Sequence, residues 1–401
     1  MVDRISTIQI FQQGVTAILA RQAEVSRTQQ QLATGERISS PSDDPAGAVQ
    51  ILDIEEDLRQ IDQFQRNAVQ AEQQLALSDT TLGEVSSVIQ RVRELTIQAN
   101  NATQSAADRS LISSEIQARL EELVALANTR DASGEYIFAG FQAETQPFSR
   151  SGNTVSYAGD DGQRFLRIAA GTQVAVRDTG SRVFLSVPSG NGEFDFSVDG
   201  NLGTATVGTI SSNGAFVRDD YTITFIQALP TDPITYEVRD SAAALVSGGT
   251  YEAGATIDFA GASVTVTGEP ADGDTIDIDA TPNQSLFETV GEIVAALNQS
   301  VDTAASDAEV NTGLSSALIN LDQALGNVAA VRSEVGARLN RIDSQQEINA
   351  DFNLQLETTL TNVRDLDYTE AISRLNAQLL ALQAAQQTYV QTQGLSLFNF
   401  I

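Results

Sequence analysis

No cysteine, histidine, tryptophan or lysine occurs in the 401 residues, so all 23 basic side chains are arginine. Each absence closes off a chemistry. A Ser-His-Asp triad, a cysteine nucleophile, a lysine Schiff base, a phosphate-loop lysine and a zinc site of the Cys/His type all need a residue type missing here. With no cysteine, no disulfide framework marks an oxidising compartment, and none argues against one. Exclusive use of arginine fits planar fork contacts at interfaces, but a genome-wide codon bias accounts for it more simply, and no function is read from it. Long apolar runs are missing too: no segment approaches the roughly 18–20 apolar residues of a membrane span. The N-terminus, "MVDRISTIQIFQQGVTAILARQ", has no basic stretch followed by the unbroken apolar block of a cleavable signal peptide. Export, if it occurs, is expected to use a route that reads no Sec signal. Positive charge is also short. Against 53 acidic residues the net charge is -30, spread along the chain. Such a surface repels phosphate backbones and anionic lipid, so neither a nucleic-acid partner nor membrane insertion is expected.

Proline and glycine are scarce at both ends and frequent in the middle. All eight prolines are Pro41 and Pro45 or fall between Pro147 and Pro282, and most glycines lie between Gly134 and Gly273. Within that middle, "NTVSYAG", "VFLSVPSG", "DYTITFIQ", "ITYEVRD", "ATIDFAGASVTVTG" and "DTIDIDA" are short alternating runs that predict strands. The arms predict helix, so the fold class is mainly α with an inserted β domain. The length suffices for two or three domains.

Both arms carry coiled-coil spacing. Ile8, Phe11, Val15, Ile18, Gln22, Val25, Gln29 and Leu32 step by alternating threes and fours, and so do Tyr368, Ile372, Leu375, Leu379, Leu382, Gln386, Tyr389 and Gln393. Further inside, one stripe runs from Leu314 through Leu318, Leu321, Leu325, Val328, Val331, Val335 and Leu339 to Ile342. Another runs through Leu75, Leu82, Val85, Ile89 and Val92 and resumes at Ile112, Ile116, Leu120 and Leu123 after a break at "ANNATQSAAD". No proline interrupts Ala46 to Asn100, which allows one helix of about 80 Å, a length that suits a rod.

Between two helical stretches stands "GERISSPSDDPAG". Gly35 is placed to end the first helix in a left-handed conformation. Asp44 and Pro45 read as an N-cap and first helical residue, with Asp43 adding favourable charge at the same helix end. Pro41 holds Ser40 extended. The segment reads as a stiff interdomain joint; a plain surface turn fits the same residues.

Apolar residues exceed what one seam buries. The six apolar seam residues of the first helix would contribute on the order of 10 kcal/mol if buried, against roughly 1–2 kcal/mol of backbone entropy per ordered residue. The isolated helix is therefore marginal. Pairing the two ends still leaves Ile5, Ile10, Leu19, Leu380, Leu395, Leu397 and Phe398, and beyond Arg374 no side chain is charged. Burial among sibling copies explains this; docking onto the chain's own rod is the alternative. Other acidic groupings carry less. "DGDTIDID" holds Asp272, Asp274, Asp277 and Asp279 but lacks the twelve-residue calcium loop, and reads as a strand with Ile276 and Ile278 on one face and a solvated acidic edge. The Asp pairs at 43–44, 160–161 and 219–220 sit in turn-like contexts without a pocket signature.

"RIST" at 4–7, "QLATGERISSPSDDPAGA" at 31–48 and "IQRVRELTIQANNAT" at 89–103 resemble the N-terminal arm of the flagellin superfamily. "GEYIFAGFQAETQPF" at 134–148, "ADGDTIDIDATPNQSLFETVGEIVAALN" at 271–298 and "LSLFNFI" at 395–401 are similar, more narrowly, to the flagellar hook-associated protein 3 family. The FNG-type stretch and Leu-Leu pair of flagellins are missing. The resemblance covers roughly residues 1–150 and 270–401.

It implies antiparallel coiled-coil terminal helices (1–40 and 364–401), a long helical-bundle rod (41–135 and 285–363) and an outward-facing all-β domain (136–284). It implies a structural adaptor of the bacterial flagellum, extracellular, exported unfolded through the flagellar secretion channel without a cleaved signal peptide. Implied partners are further copies of itself, flagellin, a second hook-associated protein on the hook side, and an export chaperone on the C-terminal helix. No enzyme activity, cofactor or metal is expected. The assembly residues would be Ile8, Phe11, Val15, Ile18, Val25 and Leu32 on one helix and Ile372, Leu375, Leu379, Leu382, Tyr389, Leu395, Leu397 and Phe398 on the other. Arg91, Arg93 and Glu94 fall where flagellins make subunit contacts. Alternatives are a filament flagellin and, from another class, an extracellular carbohydrate-active enzyme with coiled-coil arms, which would need two carboxylates lining a pocket. A coiled-coil sensory protein lacks any span or docking signal.

Overall fold

The computed structural model describes residues 7–101, 104–280, 283–299 and 303–394. Among the described residues there are six α-helices, α1 (Thr7–Thr34), α2 (Pro45–Ala99), α3 (Ala106–Ala127), α4 (Leu286–Asn298), α5 (Ala304–Arg364) and α6 (Tyr368–Gly394). The chain clusters into two compact units, one made of Met1–Arg66 with Gln345–Ile401 and the other of Asn67–Ser344.

In the second unit the predicted stripes form the helical core. Leu75, Leu82, Val85, Ile89 and Val92 of α2 are buried together with Ile116, Leu120 and Leu123 of α3 and Leu314, Leu321, Val328, Val331, Val335 and Ile342 of α5. Leu318, Leu325 and Leu339 are only half-buried, and Ala317 and Ala324 join the core instead. The buried positions from Leu314 to Val335 alternate steps of three and four without a fault, so alanine takes the heptad place that apolarity alone assigned to the neighbouring leucine. The break at "ANNATQSAAD" separates α2 from α3. Ser105 caps α3 through Asp108, whose carboxylate answers to the Ser105 N–H at 3.2 Å.

Among the described residues, twelve strands make up the β-rich part: β1 (Phe148–Ser151), β2 (Thr154–Tyr157), β3 (Phe165–Ala169), β4 (Thr172–Ala175), β5 (Asp195–Ser197), β6 (Thr206–Ser212), β7 (Tyr221–Ile226), β8 (Thr235–Asp240), β9 (Leu245–Thr250), β10 (Thr256–Phe259), β11 (Ala262–Thr267) and β12 (Thr275–Asp279). A five-stranded sheet of order β5-β12-β7-β8-β9 and a three-stranded sheet of order β10-β11-β6 share one core. β1-β2 and β3-β4 are separate hairpins. Alternation decides which side chains fill the shared core: Phe225, Val238, Ile276 and Ile278 from one sheet, Val207, Ile257, Val264 and Val266 from the other.

Two expectations are corrected here. "VFLSVPSG" is not a strand. Ser181–Leu185 forms a single π-helical turn because Phe184 is drawn into an aromatic cluster, 5.2 Å from Phe138, 5.4 Å from Phe148 and 5.5 Å from Phe287 between ring centres. Asp274 is not on a solvated edge. It is buried and its carboxylate accepts the N–H groups of Leu202, Gly203 and Ala271 at 2.8–2.9 Å, closing the loop before β12. Asp160 does a similar job, accepting from the N–H of Phe141 and of Gly162, both at 2.8 Å. These bonds hold its carboxyl below the ordinary value.

The segment that carries the narrower resemblance is packing material. Tyr136, Ile137, Phe138 and Ala139 are buried, and so is Phe148, which also meets Tyr157 at 4.9 Å and Phe287 of α4 at 5.2 Å. Phe148→Ala is expected to cost about 3–5 kcal/mol of unfolding free energy in urea titrations, whereas the exposed Phe165→Ala should cost less than about 1 kcal/mol.

Candidate assembly interface

α1 and α6 pair antiparallel within the first unit. Phe11 meets Tyr389 edge to face at 6.3 Å, and the Thr28 hydroxyl donates to the Gln378 side-chain carbonyl at 2.8 Å. At the far end of the pair the Arg37 N–H donates to the Arg364 carbonyl at 2.7 Å.

The contact line shares one of its two heptad positions with the expected seam and differs in the other. Phe11, Ile18, Val25 and Leu32 lie on it, as do Leu375, Leu382 and Tyr389, all buried or half-buried. Val15, Ile372 and Leu379 do not, being 42%, 51% and 38% exposed; Gln22, Gln29, Tyr368 and Gln386 are exposed as well. Small or polar residues take those places: Gly14, Thr28 and Gln31 on α1, Ala371, Gln378 and Ala385 on α6. The seven-residue repeat is kept, Phe11, Ile18, Val25 and Leu32 with Gly14 and Thr28, and Leu375, Leu382 and Tyr389 with Ala371, Gln378 and Ala385. Its second position falls one residue before the expected one, where small or amide side chains allow close approach. A Cβ on Gly14 would stand 2.8 Å from the Tyr389 ring. Ile8 lies in α1, but its side chain is outside the described residues, as are Leu395, Leu397 and Phe398 altogether.

The joint is built as two matched helix breaks. Gly35 ends α1 with φ of 75°, its N–H donating to the Gln31 carbonyl at 2.8 Å, a conformation that favours glycine. Pro41 sits second in a turn closed by the Asp43 N–H on the Ser40 carbonyl at 2.9 Å. Asp44 caps α2 by accepting the Gly47 N–H at 3.0 Å, with Pro45 as first helical residue. Asp43 faces elsewhere: it accepts from the Ser40 N–H at 3.1 Å and pairs with Arg27 of α1 at 2.5 Å. Burial works to raise its carboxyl. The Arg27 charge and the Ser40 and Ser39 hydrogen bonds outweigh that and leave it below the ordinary 3.8.

Opposite the joint, α5 stops at Arg364 and α6 starts at Tyr368. Glu36 and Asp365 form an isolated antiparallel bridge, flanked by the Leu366 N–H donating to the Gly35 carbonyl at 2.9 Å and the Arg37 guanidinium donating to the Val363 carbonyl at 2.7 Å. Asp367 caps α6, accepting from the N–H of Thr369 at 2.8 Å and of Glu370 at 3.2 Å. Sequence reasoning missed this half of the joint. Its signal was present in "DYTE", an N-cap aspartate with glutamate three residues on.

The pair leaves large apolar side chains uncovered. Leu19, Leu380 and Val390 are 60%, 68% and 66% exposed, beside the exposed Val15, Ile372 and Leu379. Covering these six, already partly shielded, would contribute on the order of 5–10 kcal/mol per chain. That is comparable to the roughly 4–15 kcal/mol of lost translational and rotational freedom on association, so stable burial calls for several neighbours at once.

Arg91, Arg93 and Glu94 lie on α2 in the second unit. Arg91 pairs with Glu94 at 3.1 Å and with Glu115 of α3 at 2.9 Å, and Arg93 pairs with Asp322 of α5 at 2.7 Å, all of them remaining at the surface.

Leu380→Asp is expected to leave the thermal midpoint of dilute monomer nearly unchanged while removing concentration-dependent association in sedimentation velocity. For Asp43, a lowered folded pKa means stabilisation fully present above about 3.8 and lost as pH falls through the folded value. The gap in thermal midpoint between wild type and Asp43→Asn should therefore be full at pH 7 and close only in strong acid.

Residues 5–143 match the bacterial flagellin N-terminal helical region and residues 318–401 the bacterial flagellin C-terminal helical region. The flagellar hook-associated protein 3 of Escherichia coli K12 is 27% identical over 396 residues, 99% of each chain. The crystal structure of flagellar hook-associated protein 3 from Legionella pneumophila is similar at 33% identity and a TM-score of 0.74, over 77% of this chain and 98% of that one. FlgL from Xanthomonas campestris is similar at 33% identity and 0.72, over 77% and 99%. With relatives of that identity spanned nearly end to end, the chain belongs to the flagellar hook-associated protein 3 family.

Proposed function

We propose that this protein is a structural adaptor of the bacterial flagellum, joining the hook to the flagellin filament by packing its terminal helices among sibling copies and neighbouring subunits. The observation that carries the reading is the set of large apolar side chains that the α1–α6 pair leaves exposed, with no charged side chain on α6 beyond Arg374 to keep that helix solvated. Val15, Leu19, Ile372, Leu379 and Leu380 are the residues such packing covers. Leu395, Leu397 and Phe398 belong to the same proposal by sequence. Arg91, Arg93 and Glu94 are proposed as a further subunit contact, their ion pairs presenting fixed charge at the surface.

The division into terminal coiled coil, rod and outward-facing β domain goes with this reading. So do export through the flagellar channel, a chaperone on the C-terminal helix, and a second hook-associated protein on the hook side. A junction adaptor needs mechanical continuity and no chemistry.

Deletion of the gene in its host tests the proposal. Intact hooks without attached filaments, and flagellin released into the medium, are the expected result. Short or absent filaments with no released flagellin would point to a filament flagellin instead.

A further inference from the structure

Away from the terminal helices, a cleft of about 450 Å³ opens in the second unit between β5, the end of β12, α4 and the first turns of α5. Five carboxylates line it: Asp195, Asp279, Glu288, Glu292 and Glu309. No arginine is among the described residues that line it. Asp195 and Glu309 are half-buried, and Asp279, Glu288 and Glu292 stand exposed at its rim. Elsewhere in this unit Asp131 and Asp178 are each answered by a guanidinium group, Arg177 at 2.7 Å and Arg338 at 2.9 Å, and the buried Asp274 by three backbone N–H groups.

Here the answer is weaker. Asp195 accepts only neutral donors, the Phe196 N–H at 2.8 Å, the Ser316 hydroxyl at 3.1 Å and the Asn320 amide at 3.1 Å. Glu292 accepts from the Gln284 amide at 2.8 Å. Burial raises the carboxyls of Asp195, Asp279 and Glu292, and neighbouring Glu288, Asp220, Asp277 and Asp195 push in the same direction.

A second observation is independent of charge. Thr312 lines the same cleft, is 1% exposed, and its Oγ1 has no hydrogen-bond partner. A buried hydroxyl left so is costly unless a donor or acceptor arrives.

The occupant's shape follows from how the oxygens are spread. A divalent ion needs several oxygens converging on one point, and among the described residues no three acidic groups do so. The volume instead suits a small organic ligand. We propose that this cleft binds an extended organic amine with two or more ammonium groups, an alkyl diamine or a polyamine, whose N–H donors meet the spaced carboxylates and Thr312.

Calorimetric titration of the full chain with spermidine at pH 7.5 and physiological salt tests this. One saturable site per chain is expected, weakened about ten-fold by Glu292→Gln and also weakened by the near-isosteric Thr312→Val. Neutralising two exposed acids elsewhere, Glu56→Gln with Glu347→Gln, should leave it unchanged. Circular dichroism establishes that each variant is folded, and Thr312→Val decides if Glu292→Gln is not. Absence of saturable heat overturns the proposal. So does equal weakening by the surface variant, or equal competition by magnesium at matched charge, because either would reduce the binding to general attraction by an acidic chain.

Discussion

Two helix breaks, at 35–44 and 365–367, must fall opposite each other for the chain ends to pair, and one short stretch of backbone holds them there. The Glu36–Asp365 bridge with its flanking hydrogen bonds is the only described strand-like pairing between the two arms. Everything distal to it depends on its register. A slip of one residue would rotate α6 by about 100° against α1 and carry Ala371, Leu375 and Leu382 off the contact line. Gly35, Asp44 and Asp367 therefore act together: each ends or starts a helix at a fixed residue, and the bridge fixes those residues in space.

The same small contact explains the character of the terminal pair. Its facing line alternates large residues such as Phe11, Ile18, Leu375 and Leu382 with glycine, alanine, threonine and glutamine, where a self-sufficient coiled coil would place leucine and isoleucine throughout. Val15, Leu19, Ile372, Leu379, Leu380 and Val390 are turned outward. In a solitary chain this arrangement forfeits burial; within the flagellar assembly proposed for the protein, the outward residues have neighbours to meet. Stability of the protomer then rests elsewhere, in the densely packed helical core of the second unit and the aromatic cluster around Phe148, Phe184 and Phe287.

Much of this was legible in the residues themselves. Helical arms, a breaker-rich β middle, the break before α3, the capping roles of Asp44 and Pro45 and the terminal turn at Gly35 each depend on local chemistry, which a sequence states directly. The misreadings were of another kind. Val15, Ile372 and Leu379 were assigned to the seam because they are apolar, whereas the repeat runs through the small or amide residues one position earlier, Gly14, Ala371 and Gln378. Asp274 looked solvated because nothing local reveals that three backbone amides converge on it. The acidic cleft draws on β5, β12, α4 and α5, and no single stretch displays it.

The sequence alone determined which segments are helices, where they stop, and that the ends are too apolar to be fully satisfied by each other, because propensity, capping and periodicity act over a few residues. Only the tertiary structure decided which face of each terminal helix is inward, that Ser181–Leu185 forms a π-turn where "VFLSVPSG" predicted a strand, and which carboxylates share a cleft. Those outcomes are set by contacts between residues far apart in the chain, where packing of rings and helices overrides local preference.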